Sequence, residues 1–87
     1  MLFRECVGRV LRALRLEQKR TLREVAQGGH VSLGYLSEIE RGHKEASSEM
    51  LESIATALQI PLWRILWLVA QDMSGYELES AQTAQAA

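Results

Sequence analysis

The sequence predicts an all-α fold of five to six short helices. Three observations carry that expectation. Apolar residues recur at the i, i+3, i+4, i+7 spacing of one helical face. Ser/Thr caps and glycine stops punctuate those stripes where helices begin and end. A hydrophobic content of 47% with a single proline is ample for a compact helical body and too high for a disordered chain. With 87 residues the chain is expected to fold as one small unit with a thin core.

The first helix is expected from about Phe3 to Gln18, with Phe3, Val7, Val10, Leu11 and Leu14 on its buried face. The second opens at Thr21-Leu22-Arg23-Glu24, a capping box in which the Thr21 hydroxyl accepts from the Glu24 N–H and the Glu24 carboxylate reaches back. Leu22, Val25 and Ala26 face inward, and Gly28-Gly29 ends the helix. Ser32 caps the third helix, Val31 and Leu36 form a hydrophobic staple, and Gly42 supplies a left-handed stop. A fourth helix after Ser47-Ser48 buries Leu51, Ile54, Ala55 and Leu58. The fifth is expected from Pro61, whose fixed φ suits a first turn, to about Asp72. It is apolar nearly all round and has to be buried on more than one side. Residues 1–72 then form the principal domain. Residues 73–87, acidic and then Ala- and Gln-rich, either extend the fifth helix or add a sixth.

The net charge of −1 conceals an asymmetry: residues 1–48 carry +3 and residues 49–87 carry −4. A basic front and an acidic back suit a protein that presents one face to phosphates. The single Cys6 excludes a disulfide framework and is expected in the core of the first helix. His30 and His43 have no ligand spacing with Cys6, so neither a metal nor any other cofactor is expected. No Ser/His/Asp cluster, phosphate loop or paired-carboxylate cleft argues for an enzyme. The sequence has no membrane-length apolar run and no signal peptide, which fits a cytoplasmic location.

Two short helices joined by a Gly-containing turn, with Ala26 at their crossing, have the spacing of a DNA-binding helix-turn-helix, although any two-helix corner offers the same periodicity. The residue pattern is more specific. From Val7 to Trp63 the chain resembles the lambda-repressor/Cro-like helix-turn-helix family in V-G-R-V-L-R-A-L-R, T-L-R-E-V-A, V-S-L-G-Y-L-S-E-I-E-R-G and S-E-M-L-E-S-I-A-T-A-L-Q-I-P-L. The phrase K-E-A-S-S-E-M-L brings it nearest to the ClgR-type actinobacterial activators of Clp protease genes. His30, where the wider family usually has its turn glycine, and Ala46, where proline is common, depart from the pattern, although His tolerates positive φ better than most residues.

The resemblance implies a homodimeric activator of protease and stress genes on a palindromic operator in double-stranded DNA, associated with the nucleoid. It further implies RNA polymerase and a Clp-type protease as partners. It implies an ion pair between Arg15 and Glu40 locking the first helix to the third, and it puts Leu33, Gly34, Ser37 and Glu38 at positions that face bases. Leu suits a thymine methyl, Ser either kind of base edge, and Glu a cytosine amino group. Backbone contacts are expected from Thr21, Arg23, Ser32, Tyr35, Arg41, His43 and Lys44. For Tyr35, packing on the second helix is the alternative. Trp63, Trp67, Leu66 and Ala70 on the fifth helix would overfill so small an interior, and a two-fold interface is the better account of them. The Ala86-Ala87 end resembles a degradation signal, with an ordinary frayed terminus as the alternative. Rival functions are a phage-type repressor or antitoxin of the same fold, and a helical protein–protein adaptor without DNA binding.

Overall fold

A computed structural model describes the backbone of residues 2–86 and the side chains of residues 2–75. The expected Ala86-Ala87 signal lies outside the described side chains. Among the described residues there are five helices and no strand: α1 (Phe3–Glu17), α2 (Leu22–Gly28), α3 (Leu33–Glu40), α4 (Ser48–Leu58) and α5 (Leu62–Ala86). One core gathers apolar side chains from every helix, with Cys6, Leu36 and Ile65 fully buried alongside Leu11, Val25, Ile39, Ile54 and Val69. Cys6 is thus the small core residue expected of it, and burial pushes its thiol pKa up, away from reactivity.

Local chemistry sets the helix ends. The Thr21 hydroxyl accepts from the Glu24 N–H at 3.1 Å, and the Glu24 carboxylate accepts from the Thr21 N–H at 2.8 Å. Ser32 Oγ accepts from the Tyr35 N–H and Ser47 Oγ from the Met50 N–H, each at 3.2 Å. Gly42, at φ 76°, provides the left-handed stop after α3.

One expectation is corrected. Phe3 is not on the buried face: it is 48% exposed at the first turn of α1, where it borders a shallow recess with Lys44, Glu45 and Ala46. The α2 helix ends at Gly28-Gly29 as expected, with Gly29 at φ −98°, and the left-handed residue that follows is His30 (φ 54°). Gly29 also serves a close approach, because a Cβ there would lie 2.9 Å from the Ser53 carbonyl oxygen of α4. Of the two alternatives for the segment after Asp72, extension of the fifth helix holds: α5 begins at Leu62 and continues to Ala86. At 1.5 Å per residue its 25 residues span about 37 Å, most of the 48 Å long axis of the molecule.

Candidate nucleic-acid interface

Helices α2 and α3 pack on each other, α2 rests on α4 and α3 on α1. This leaves one side of α3 facing outward. Leu33 and Gly34 are exposed there, and Ser37 and Glu38 are half-buried one turn further on. The i, i+3, i+4 spacing gathers these four on one contiguous face.

Three devices hold that face. Gly8 of α1 lies against the last turn of α3, since a Cβ at this position would fall 2.3 Å from the carbonyl oxygen of Ile39. Further along α1, Arg15 donates from Nε and Nη2 to both carboxylate oxygens of Glu40 at 2.8 and 2.9 Å, and from Nη1 to the Arg20 carbonyl at 2.9 Å. Both partners are buried, and the bidentate geometry fixes orientation as well as distance. Pairing with Glu40 holds the Arg15 guanidinium firmly in its charged form. The loop after α3 is tethered twice: Tyr35 donates its hydroxyl to the Glu45 carbonyl at 2.6 Å, and Arg4 donates to the Gly42 carbonyl at 3.2 Å.

The expected phosphate anchors divide into two groups. Arg23 and Lys44 are exposed, with no ion pair or side-chain hydrogen bond among the described residues. Thr21 and Ser32 are exposed too, but each hydroxyl already caps its helix. The Thr21 N–H holds the Glu24 carboxyl below its ordinary pKa range, so at the start of α2 that carboxylate occupies a donor otherwise open to a phosphate. At the far end of α3, Arg41 Nη2 donates to Glu38 Oε1 at 2.8 Å and His43 Nδ1 lies 3.1 Å from Glu38 Oε2. Glu38 therefore joins Arg41 and His43 of the next loop, and both of its oxygens have partners before any base is met.

The sequence reading missed several contributors. Gly8 is one. Arg20 and Gln18 are others: Arg20 donates to the Ala57 carbonyl and Gln18 to the Leu58 carbonyl at 2.8 Å, satisfying the C-terminal carbonyls of α4. Arg20 is thereby turned inward, not toward a ligand. Only the tertiary fold brings α4's end to these residues, so no local motif carries the signal.

The fifth helix packs on α1 and α4 through Ile65 and Val69, with Arg9 of α1 gripping Asp72 at 2.7 and 3.2 Å. Its opposite face carries Trp63 (67% exposed), Leu66 (41%) and Trp67 (51%), with Ala70 exposed beside them.

Comparisons with known proteins agree with this architecture. A helix-turn-helix family model matches residues 11–62. The transcriptional regulator ClgR of Mycobacterium tuberculosis (strain H37Rv) is 58% identical over 76 residues, covering 87% of this chain and 68% of that protein. A crystal structure of the clp gene regulator ClgR from Corynebacterium glutamicum superposes with a TM-score of 0.84 at 44% identity, over 99% of this chain and 88% of the other. The restriction-modification controller protein C.Esp1396I, at 22% identity and a TM-score of 0.78 over 84% of this chain and 94% of its own, shares the fold.

Proposed function

Because the chain belongs to the lambda-repressor-like helix-turn-helix family and is a DNA-binding transcriptional regulator, we propose that it works as a homodimeric activator of protease and stress genes. Its target is a palindromic operator in double-stranded DNA. The role is binding rather than catalysis, exercised in the cytoplasm at the nucleoid. By analogy with ClgR of Corynebacterium glutamicum, a clp gene regulator, the regulated genes include those of a Clp-type protease, with RNA polymerase as the partner recruited.

One observation carries the dimer. Trp63, Leu66 and Trp67 form an exposed apolar stripe on a helix whose other face is already committed to the core. Together they expose on the order of 300 Å². A stable interface takes about 800 Å² per partner, so the stripe with Ala70 would be the apolar centre of a patch that the 73–87 segment completes. Two-fold symmetry would buttress α5 on α5 and set two α3 helices about 34 Å apart, one duplex turn.

In this reading α3 enters the major groove. Leu33, Gly34 and Ser37 approach base edges, while Thr21, Arg23, Ser32, Arg41, His43 and Lys44 hold the backbone on either side. The Tyr35 hydroxyl, engaged by Glu45, contributes by stiffening the loop that carries Arg41 to Lys44.

Footprinting with the purified protein on DNA selected from a random pool, repeated at raised salt, tests the proposal. A symmetric protected site whose affinity falls steeply with salt is the expected result. Normal folding without protection of any site would favour the adaptor reading.

A further inference from the structure

The α1 helix turns one stripe toward α3: Glu5, Gly8, Arg12 and Arg15, at i, i+3, i+7 and i+10. Three of the four have a visible task. Glu5 packs against Gly42, Gly8 lets the backbones close, and Arg15 binds Glu40. Arg12 is the exception. It is exposed and has no ion pair or hydrogen bond among the described residues, although it lies on the stripe that faces the C-terminal end of α3.

What Arg12 borders is an open cleft of about 680 Å³ between three helices. Its walls are Arg12 of α1, Leu22 at the start of α2, and Ser37, Arg41 and His43 from α3 and its loop. Arg15 and Glu40 line it too, already joined to each other. The lining carries three guanidinium groups against one carboxylate. Ser37 and Arg41, four residues apart, lie on one face of α3, and Gly34 extends that face by a further turn toward the groove-facing end. The cleft therefore opens beside the surface proposed to meet bases, where the flanking backbone of a duplex runs. Arg12 from α1 and Arg41 from the end of α3, whose Nη2 also holds Glu38, supply guanidinium donors and Ser37 a hydroxyl, a donor set suited to a singly charged phosphodiester.

The geometry points to this cleft as a seat for one backbone phosphate of bound DNA, with Arg12 as its α1 contact. The inference rests on the DNA-binding reading above. An oxyanion could reach the seat from a duplex or from a free phosphate compound, and the experiment separates the two.

Binding of the full chain to a short fluorescent duplex of arbitrary sequence is followed by anisotropy at several salt concentrations, for the parent, Arg12→Gln and Arg12→Lys. Because Arg12 has no intramolecular partner, both variants should melt with the parent. Loss of one phosphate contact should lower the slope of log K against log salt by about 0.9 and weaken binding roughly three- to tenfold near 0.1 M salt. Arg12→Lys should keep the slope, since a phosphate accepts a point charge. Preference among DNA sequences should not change in either variant. If the parent binds duplex while Arg12→Gln keeps the parental slope, the phosphate seat is wrong and the DNA reading survives. A parent that binds no duplex, arbitrary or pool-selected, overturns both. Stabilisation of the parent by inorganic phosphate that Arg12→Gln abolishes, with equal DNA slopes, would reassign the cleft to a free anion and overturn the inference.

Discussion

A methyl group at residue 8 would lie 2.3 Å from the Ile39 carbonyl oxygen and 2.7 Å from that of Glu40. Both obstacles are backbone at the last turn of α3, so α1 and α3 have to separate to admit it. Gly8→Ala should therefore cost about 1–3 kcal/mol, a typical overpacking penalty, despite the better helix propensity of alanine. Urea unfolding measures the loss, and an unchanged midpoint would contradict the close approach. His30 is the opposite case. It sits at φ 54° after α2 and is exposed, so it has strain to relieve and little packing to lose. His30→Gly should be neutral or stabilising by up to about 1 kcal/mol, the relief of a left-handed residue offset by glycine's entropy. Glu38 is a subtler residue, because its carboxylate binds Arg41 and His43. Glu38→Ala would release Arg41 and His43 from a competing carboxylate. A general gain in affinity across sequences would mark Glu38 as a restraint on the anchors, and altered preference at one base pair would mark it as a reader.

Between helices, Arg15–Glu40 ties α1 to α3 and Arg9–Asp72 ties α1 to α5, and the two should behave differently. Arg15–Glu40 is buried and bidentate. Arg15→Ala leaves a buried carboxylate, so a loss of about 3–5 kcal/mol is expected, much of it recovered when Glu40→Ala is added. Arg9–Asp72, at the α1–α5 contact, is half open to solvent and contributes at most about 1 kcal/mol. It has a pH signature, because Arg9 lowers the Asp72 pKa from its ordinary 3.8. A depressed folded value means stability present above about pH 3.8 and lost as the pH falls through that lowered value. Asp72→Asn should accordingly be less stable than the parent near neutrality and converge with it in acid, as parallel urea titrations would reveal. Legibility in the sequence divides along the same line. Caps at Thr21, Ser32 and Ser47 are local and readable, since each hydroxyl meets an N–H three residues on. Arg15–Glu40 was readable only through the family pattern, its partners being 25 residues apart. The Arg20–Ala57 and Arg9–Asp72 contacts have no sequence mark, because they depend on how α4 and α5 come round onto α1. The face of α3 follows from helical spacing, whereas the capture of Glu38 by the loop follows from the turn at Gly42.

On the scale of the whole molecule, the question is what covers α5. The periodicity already required more than one buried side for this helix, but the core takes only the stripe of Ile65 and Val69. Trp63 and Trp67, one turn apart, are left outward, and solvent-facing indoles have no gain to offset their hydration cost in a monomer. If the stripe is the two-fold interface, Trp63→Ala with Trp67→Ala should leave the fold intact, since neither indole is in the core, yet sediment as monomer at concentrations where the parent is dimeric. Dilution of the parent should shift its Trp emission to longer wavelength as those indoles meet water. The consequence reaches the DNA. Joining two modules makes the second half-site contact intramolecular, and that gain can reach about 10²–10⁴ in affinity. The double variant should lose most of it on a symmetric operator while binding an isolated half-site as the parent's single module does. Retention of the dimer by the double variant would place the interface elsewhere, and equal losses on both DNAs would show that the tryptophans shape α3 itself.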